Sequence, residues 1–387
     1  MKDVFVTDSI RYIGVDDATI DLFENQYVVP NGVSYNSYLI LDEKVAVMDT
    51  VDKRATEEWL ANMERELGGR TPDYLVVHHM EPDHAGSVQV LAEKYPGMQI
   101  VGNAKTFTMM ERFFTFDLTG RKVEMKEGST LCLGKHTLTF VMAPMVHWPE
   151  VMVSYESSEK VLFSADGFGT FGTLASGQPW DKEAGRYYLN IVGKYGAQVQ
   201  ALLKKAAGLD IAMICPLHGP VLKENLGHYI AKYDMWSKYE PEVDGVFIAF
   251  ASIHGNTAQA AHRLKDILEK KGVQVAIADL SRADMADCVE NAFKYSKMIC
   301  AAASYDGGLF PPMEDFLCHL RSKTYRNRKV AIVENGTWAP SAACVMKNYL
   351  GEMKGITLCD YQVTIPSAVK EATVKELEAL VGEVIAM

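Results

Sequence analysis

The sequence lacks several features that would each assign it to a large class of proteins. No apolar run approaches the roughly 18 residues of a membrane-spanning helix, and the opening stretch, MKDVFVTDSIRYIGVDD, has no apolar core of the signal-peptide type. The seven cysteines form no CxxC pair, and their odd number argues against a disulfide framework and against a cysteine-rich zinc or iron–sulfur module. We therefore expect a cytoplasmic protein with free thiols and no membrane association.

Positive charge is also scarce. Asp and Glu number 50 against 39 Lys and Arg, which gives a formal net charge of −11. Nucleic-acid binding requires basic patches, so this balance argues against a nucleic-acid partner and against docking on anionic lipid. A small diffusible substrate or a basic protein partner fits the charge better.

What is present is a chain of 387 residues, long enough for two or three domains with sizeable cores. A boundary is indicated at KYEPEVDGVFIAF, where Pro241 follows an aromatic-rich helical stretch and precedes the buried-strand pattern of Val246–Ala251. We therefore predict one domain over residues 1–243 and a second over residues 244–387.

The second domain alternates short apolar runs with helical patterns. Strands are predicted at 246–251, 273–279, 297–303, 329–334 and 356–362, and helices near 257–271, 285–295, 313–322, 341–351 and 368–382. Such regular alternation is typical of a doubly wound parallel α/β sheet. The first domain instead mixes a hairpin, SYLILDEKVAVMDT, with separate strands and with helices near 54–67 and 196–207, which indicates an α+β or layered α/β fold.

Potential metal ligands concentrate at the ends of strands in the first domain. The stretch VVHHMEPDHAGS contains the pattern HxExDH directly after an apolar run, and its proline predicts a loop. Three further residues each end an apolar run and precede Pro or Gly within two positions. Seven ligands are too many for one tetrahedral zinc and suit two metals that share a bridging carboxylate. We call them the ligand set: His79, Glu81, Asp83, His84, His147, Asp166 and His218.

A second constellation lies at strand ends of the second domain. The stretch SIHGNT joins a strand to a helix, and hydroxyls, glycine and backbone N–H groups at a helix N-terminus form an anion cradle. The segments ASYDGGLFPP and NGTWAPSA follow the third and fourth strands and contain Gly and aromatic residues suited to a planar ring. The candidate binding residues of the three segments are Ser252, Ile253, His254, Gly255, Asn256, Thr257, Ala303, Ser304, Tyr305, Asp306, Gly307, Asn335, Gly336 and Trp338.

These motifs together resemble a known family. HxExDH, two later strand-end ligands and a final HGP resemble the metallo-β-lactamase fold, and Asp49 matches that fold's early structural aspartate. Hydrolytic members usually have HxHxDH, whereas Glu81 at the second position is typical of flavodiiron proteins. SIHGNT resembles the FMN phosphate loop of flavodoxins, and we therefore call SIHGNT, ASYDGGLFPP and NGTWAPSA the flavin loops. The resemblance implies an N-terminal metallo-β-lactamase-like αββα sandwich followed by a flavodoxin-like doubly wound parallel sheet of order 2-1-3-4-5.

The resemblance also implies cofactors and a ligand assignment. FMN and two iron ions would be bound, with His79, Glu81 and His147 on one iron. Asp83, His84 and His218 would bind the other, and Asp166 would bridge the two. The implied activity is reduction of dioxygen to water, of nitric oxide to nitrous oxide, or of both.

Partners follow from the same resemblance. The family forms head-to-tail homodimers or dimers of dimers, and the chain contains no rubredoxin-type CxxC pairs, so a separate electron donor is expected. Rubredoxin is the first candidate and a reduced deazaflavin the second. Two other readings stay open at this point: a zinc-dependent metallo-β-lactamase-fold hydrolase fused to a flavodoxin-like domain, and a flavodoxin-like electron carrier with a docking scaffold.

Several aromatic and histidine residues near these motifs receive lesser roles. His78 is out of phase with the ligand spacing, and we expect it to support or pack beside the metal site. His228 lacks the HGP context, and the remaining histidines lie in ordinary strand or helix patterns. Candidate pocket residues, for which core packing is an equal alternative, are Trp148, Tyr187 and Tyr188; the ordinary histidines are His136, His262 and His319.

Overall fold

The computed structural model describes residues 4–387, which form two compact units. The first comprises the chain up to Tyr188 together with Ala197–Asp234, and the second comprises Leu189–Gly196 and Met235–Met387. The proposed domain boundary at 243/244 lies one residue inside the first strand of the C-terminal sheet, which begins at Val243. Within the described residues, no helix is long and apolar enough to cross a membrane.

The first unit contains two large sheets. Its strands are β1 Ile10–Tyr12, β2 Val15–Asp17, β3 Leu22–Phe23, β4 Tyr27–Val28, β5 Val33–Tyr35, β6 Tyr38–Leu41, β7 Val45–Met48, β8 Tyr74–Val76, β9 Gln99–Gly102, β10 Lys122–Glu124, β11 Thr130–Cys132, β12 Thr137–Met142, β13 Met152–Glu156, β14 Val161–Phe163 and β15 Met213–Cys215. One sheet has the order β1-β6-β7-β8-β9-β10 and the other β11-β12-β13-β14-β15. The predicted hairpin is the antiparallel pair β6–β7.

The core of this unit lies between the two sheets. Ile40, Met48 and Val76 from the first sheet and Phe140 and Phe163 from the second belong to one buried apolar cluster. The helices are α1 Thr56–Leu67, α2 Pro82–Ala85, α3 Val88–Lys94, α4 Ala104–Phe113, α5 Ala184–Tyr187, α6 Gly196–Ala206 and α7 Leu226–Ser237. Burial of apolar faces between stacked sheets and helices defines the predicted αββα sandwich, which is confirmed.

The second unit is built on a parallel sheet. Its strands are β16 Val243–Ala251, β17 Gln274–Asp279, β18 Tyr295–Tyr305, β19 Gly308–Leu309, β20 Lys329–Asn335, β21 Thr357–Leu358 and β22 Val363–Ile365. Its helices are α8 Asn256–Lys270, α9 Met285–Lys294, α10 Pro311–Ser322, α11 Ala342–Gly351 and α12 Glu371–Ala386. The order β17-β16-β18-β20, followed by β21 and β22 on β20, is the predicted order 2-1-3-4-5.

Two predicted elements of this unit are wrong in their bounds. The strand expected at 356–362 is interrupted, because the backbone N–H groups of Asp360 and Tyr361 donate to the Glu383 carboxylate at 2.6 and 3.0 Å instead of pairing with β20. The last helix runs over Glu371–Ala386 rather than 368–382. Its start is set by Thr373, whose hydroxyl accepts the backbone N–H of Lys370 at 3.3 Å.

Candidate functional site

The ligand set converges at the C-terminal ends of strands in the first unit. His79 and Glu81 lie in the segment between β8 and α2, and Asp83 and His84 lie inside α2 itself. The prediction of a loop across the whole motif is therefore wrong for its second half. The proline does not prevent a helix, because Pro82 occupies the first helical position, where a missing N–H costs nothing. The remaining three members, His147, Asp166 and His218, follow β12, β14 and β15.

Four side chains of the set point their polar atoms at one spot. His147 Nε2 lies 2.9 Å from Glu81 Oε2, and His79 Nε2 lies 3.2 Å from the same oxygen. The two imidazole nitrogens are 3.4 Å apart. Asp166 Oδ2 lies 3.4 Å from His79 Nε2 and 3.1 Å from His147 Nε2. These atoms form the first ligand group.

The other three side chains form a second ligand group. His84 Nε2 and His218 Nε2 are 3.0 Å apart, and Asp83 Oδ2 lies 3.3 and 3.1 Å from them. Asp166 faces this group with its other oxygen, since Oδ1 lies 3.1 Å from His84 Nε2. One carboxylate therefore presents a separate oxygen to each group, which is the arrangement of a bridging ligand.

The spacing and the hydrogen bonding of these atoms both fit bound metal ions. Ligand atoms about 2.1 Å from one metal lie roughly 3.0–3.4 Å from one another, and the distances within the groups cover that range. Both carboxylate oxygens of Asp83 and Oδ1 of Asp166 are buried without a hydrogen-bond partner. Buried carboxylates need compensation, and a cation between the ligand atoms supplies it. The residues therefore fit a two-metal centre.

Two groups that the sequence analysis did not single out orient the imidazoles. Buried Glu150 accepts a hydrogen bond from His79 Nδ1 at 2.8 Å and another from the backbone N–H of Met80 at 2.8 Å. His218 Nδ1 donates to the carbonyl oxygen of Ser34 at 2.7 Å. In each ring the Nδ1 contact leaves the Nε2 lone pair aimed at the ligand group. Glu150 lies three residues after His147 but belongs to no recognisable motif, so the sequence alone does not point to it.

The adjacent His78 is not part of either ligand group. Its Nδ1 lies 2.5 Å from Asp49 Oδ2, its Nε2 lies 2.8 Å from the Ser154 hydroxyl, and its backbone N–H donates to Asp49 Oδ1 at 2.7 Å. The ring also stacks on Phe163. His78 and Asp49 thus tie the start of the HxExDH motif to the sheet.

The third carboxylate cluster, formed by Glu156 and Glu159 beside His136, has a structural role. Glu156 and Glu159 lie near His136, but their polar atoms are already engaged. Glu156 accepts the backbone N–H groups of Ser158 and Glu159, and His136 Nδ1 contacts Asp42 Oδ2 at 2.8 Å. This cluster holds a turn together, in contrast with the unpartnered oxygens of the ligand set.

Without metal, three imidazoles of the ligand set have raised pKa values. Burial lowers the pKa of His147, but hydrogen bonds to Asp166 and Glu81 outweigh it and raise the value to about 9. Burial likewise opposes a raised pKa in His79 and His84, where the charge of a neighbouring aspartate wins. The positive rings in turn hold the pKa of Asp166 well below its usual range against the effect of burial. Metal binding must therefore displace protons from these rings.

Aromatic side chains surround the two groups. The Trp148 ring lies 5.2 Å from that of His79, and the rings of Phe23 and Tyr187 lie 5.3 and 5.7 Å from that of His218. The hydroxyl of Tyr187 is buried and has no hydrogen-bond partner. Tyr188, in contrast, packs against Tyr233 with ring centroids 4.9 Å apart. Of the candidate pocket residues, Trp148 and Tyr187 thus contact the ligand rings.

The flavin loops meet at one edge of the C-terminal sheet. Ala251 at the end of β16 pairs with Ala302, and Ala303 pairs with Asn335, so the three strand ends are neighbours. Ligands of doubly wound sheets bind at this edge. Gly255 precedes α8 with φ +90°, and no side chain caps that helix. Its first backbone N–H groups are therefore available to an anion.

The second and third flavin loops are shaped by backbone conformation. Asp306 and Gly307 both have positive φ, 48° and 72°, and form the two-residue turn between β18 and the short strand β19. Ser304 Oγ accepts the backbone N–H of Ser341 at 2.8 Å, which ties these two loops together. The Trp338 side chain is 89% exposed, so its ring is free to contact a bound ligand.

Comparisons with known proteins agree with both halves of this description. A family model described as ODP family beta lactamase matches residues 33–219. An uncharacterised protein of Methanocaldococcus jannaschii is 30% identical over 81% of this chain and 81% of its own length. A nitric oxide reductase of Moorella thermoacetica is 29% identical over 83% of this chain and 84% of its own.

Solved structures extend the likeness to nearly the whole chain. Rubredoxin oxygen:oxidoreductase from Desulfovibrio gigas superposes with a TM-score of 0.92 at 25% identity, covering 99% of this chain and 97% of its own. The flavodiiron protein from Giardia intestinalis shares the fold with a TM-score of 0.91 at 24% identity, covering 100% of this chain and 97% of its own. A metallo-β-lactamase-like dimetal unit joined to a flavodoxin-like unit is the class that the fold and site define. The chain belongs to the flavodiiron protein family.

Proposed function

We propose that this flavodiiron oxidoreductase reduces a diatomic gas, either dioxygen to water or nitric oxide to nitrous oxide, or both. The observation that carries the proposal is the position of Asp166, whose two oxygens face two separate ligand groups. A paired metal site of this kind can bind and reduce a two-atom substrate. Dioxygen takes up four electrons and four protons to give two waters, and two nitric oxide molecules take up two of each to give nitrous oxide and water.

We assign the ligand set as the holder of two iron ions, of which His79, Glu81 and His147 would hold one. Asp83, His84 and His218 would hold the other, and Asp166 would contribute to both. When bound, the iron pair supplies adjacent redox-active coordination sites. Oxygen-rich sites of mixed carboxylate and imidazole ligands favour iron over zinc, and Glu81 provides the carboxylate that distinguishes this set from the hydrolytic pattern HxHxDH. That residue is the reason to set aside a zinc hydrolase.

We assign FMN to the flavin loops, where the uncapped start of α8 would bind its phosphate and Tyr305 and Trp338 would contact its ring. When bound, FMN supplies one- and two-electron transfer. Around the two ligand groups, neighbouring residues of the chain position the ligands and exclude water. Glu150 fixes the ring of His79, while the Trp148 ring limits the space beside it. The unpartnered hydroxyl of Tyr187 can donate a hydrogen bond to a gas molecule held near His218.

The electron donor is a separate molecule in this proposal, with rubredoxin as the first candidate. A similar protein from Desulfovibrio gigas carries the name rubredoxin oxygen:oxidoreductase, and a relative from Moorella thermoacetica carries the name nitric oxide reductase. We further propose that the protein works as a head-to-tail homodimer or a dimer of dimers, as the resemblance to the family implies. The free thiols and the lack of a signal-peptide pattern favour the cytoplasm as its location.

The test is an anaerobic steady-state assay of iron-loaded, flavin-replete protein with chemically reduced rubredoxin. Dioxygen or nitric oxide is added in separate runs, and consumption of each gas is followed. We expect turnover with at least one gas and none after zinc replaces the iron. Failure with both gases in protein of verified iron and flavin content would reject the function, and a colourless, zinc-containing preparation would favour a hydrolase.

A further inference from the structure

A cavity of about 220 Å³ lies in the first unit, between the second sheet and helices α6 and α7. Its sheet side includes Val153, Leu162 and Ile214, and its helix side includes Val199 and Leu226. The cavity is separate from the ligand set and contains none of its seven residues.

The wall of the cavity is apolar even where polar residues line it. The Ser164 hydroxyl donates to the carbonyl of Gly167 at 2.7 Å, and the Tyr233 hydroxyl accepts the backbone N–H of Phe168 at 2.6 Å. These polar atoms are therefore used within the protein and offer little to water. Apolar cavities of about 150 Å³ stay dry and bind xenon or other small apolar molecules.

Part of the cavity wall is formed by the chain segments that carry two members of the ligand set. Val146, which lines the cavity, directly precedes His147, while Gly167 and Phe168 directly follow Asp166. The turn from Ser164 to Phe168 thus has two functions, because one of its sides forms cavity wall and its middle residue is the bridging carboxylate. The cavity wall and the ligand set therefore share two stretches of chain, residues 146–147 and 164–168.

Part of the cavity wall is a partly exposed rim. Of its residues, Ile230 is 39% exposed, and Leu203, Ala206 and Leu209 are half-buried. An uncharged diatomic molecule can therefore enter from solvent at this rim. A polar or charged solute would lose its hydration there without finding hydrogen-bond partners.

We propose that this cavity is a binding site for small apolar gas molecules and holds the gaseous substrate beside the metal centre. The identity of the gas rests on the proposed function, whereas the binding of apolar gas rests on the cavity alone. Dioxygen and nitric oxide are uncharged, weakly hydrated and far smaller than the cavity, so both fit the lining. The cavity would raise the local concentration of substrate without contributing to the chemical step.

The first test measures xenon binding in zinc-loaded protein, where no gas is turned over. Xenon-pressurised crystals of the wild type should show xenon among Val153, Leu162 and Val199. A Val199→Phe substitution fills this space and should lower the xenon occupancy about tenfold. The control is Val90→Phe, the same change at an exposed position outside the cavity. Absence of xenon from the wild-type cavity, or equal occupancy in Val199→Phe, would overturn the proposal.

The second test uses the iron-loaded protein and a second variant, Leu203→Trp, which narrows the half-buried rim and avoids overpacking the core. Both cavity variants should raise KM for the gas several-fold while kcat stays within about twofold, because local supply changes and the ligand set does not. An unchanged KM in a variant that has lost xenon would overturn the role in substrate supply. A wild-type protein that binds xenon but consumes neither gas would reject the proposed function and leave the gas cavity standing.

Discussion

The ligand set and the flavin loops are built in different ways. In the ligand set every residue except Glu81 is buried, and the polar atoms of neighbouring members lie within hydrogen-bonding distance of one another; Asp166 is 2% exposed. The flavin loops are exposed turns whose shape comes from the backbone, and Trp338 is 89% exposed. Buried charge needs specific compensation, so the first site depends on side-chain identity. The second depends on which residues accept unusual backbone angles.

The largest effect on metal affinity should come from replacing Asp166, the carboxylate that faces both ligand groups. Asp166→Ala takes an oxygen from both ligand groups, so both metals should be lost, with an affinity decrease beyond the roughly 100-fold that outer residues cost. FMN content should stay unchanged, since the flavin loops belong to the other unit. Metal analysis and flavin absorbance measure the two together. The control Asp181→Ala removes an exposed carboxylate paired with His228 and should keep both metals; full metal content in Asp166→Ala would contradict the assignment.

The next effect concerns the choice of metal. Glu81→His recreates the pattern HxHxDH, and we expect the ratio of zinc to iron affinity to rise about tenfold or more because imidazole replaces a hard oxygen ligand. Gas consumption should fall accordingly. Competition between zinc and ferrous iron, measured by metal analysis, gives the ratio. The control Glu81→Asp keeps the carboxylate and should keep the preference for iron. An unchanged ratio of zinc to iron affinity in Glu81→His would show that this residue does not determine the choice of metal.

A pH dependence follows from the raised pKa values of the buried imidazoles. The proton on His147 is retained up to about pH 9, so metal must displace it below that pH. Metal affinity should rise about tenfold per pH unit for each displaced proton between pH 6 and 9 and then level off. The same proton stabilises the metal-free fold at low pH, and that contribution is lost as pH rises through about 9. Chelator competition across this range checks the slope; a flat profile would contradict it.

A smaller effect is expected from the residue that orients His79. Glu150→Gln weakens the hydrogen bond to Nδ1 of His79 but leaves all seven members of the ligand set in place. It should lower metal affinity by about 10–100-fold. The comparison variant is Glu159→Gln, which alters the third carboxylate cluster and should leave metal affinity unchanged. Titration of metal-free protein with ferrous iron measures both. Equal affinities in the two variants would show that Glu150 has no role in orientation.

The smallest effect belongs to the flavin loops. Gly255→Ala places a side chain at φ +90°, which costs about 1–2 kcal/mol and should weaken FMN binding by about 5–30-fold. Gly351→Ala, at a helix position with open space around it and no positive φ, is the matched control and should bind FMN normally. Fluorescence titration of the flavin-free proteins measures the difference. If Gly255→Ala bound FMN as tightly as the control, backbone shape would not define this site.

The same contrast explains what could be predicted from the sequence. The parallel sheet was predictable because buried parallel strands such as Val246–Ala251 are continuous apolar runs. The ligand set was recognisable because metal binding requires histidine and carboxylate side chains, and these residue types are visible in the sequence. Glu150 was missed because a single glutamate outside a motif cannot be distinguished from the other glutamates of the sequence. The carbonyl of Ser34 was missed because it is a backbone group, which every residue has. The strand expected at 356–362 is interrupted by Glu383, a residue about 20 positions further along the chain that no local pattern reveals.

The central claim is that electrons reach a diatomic gas through iron held by the ligand set. Stopped-flow mixing of fully reduced, iron-loaded protein with dioxygen or nitric oxide tests it most directly, with flavin reoxidation followed in parallel for zinc-loaded protein. The account predicts reoxidation by at least one gas that is fast with iron and at least about 100-fold slower with zinc, since zinc has no redox chemistry. Equal rates for the two metal forms would show that the flavin reacts with the gas by itself and would contradict the account.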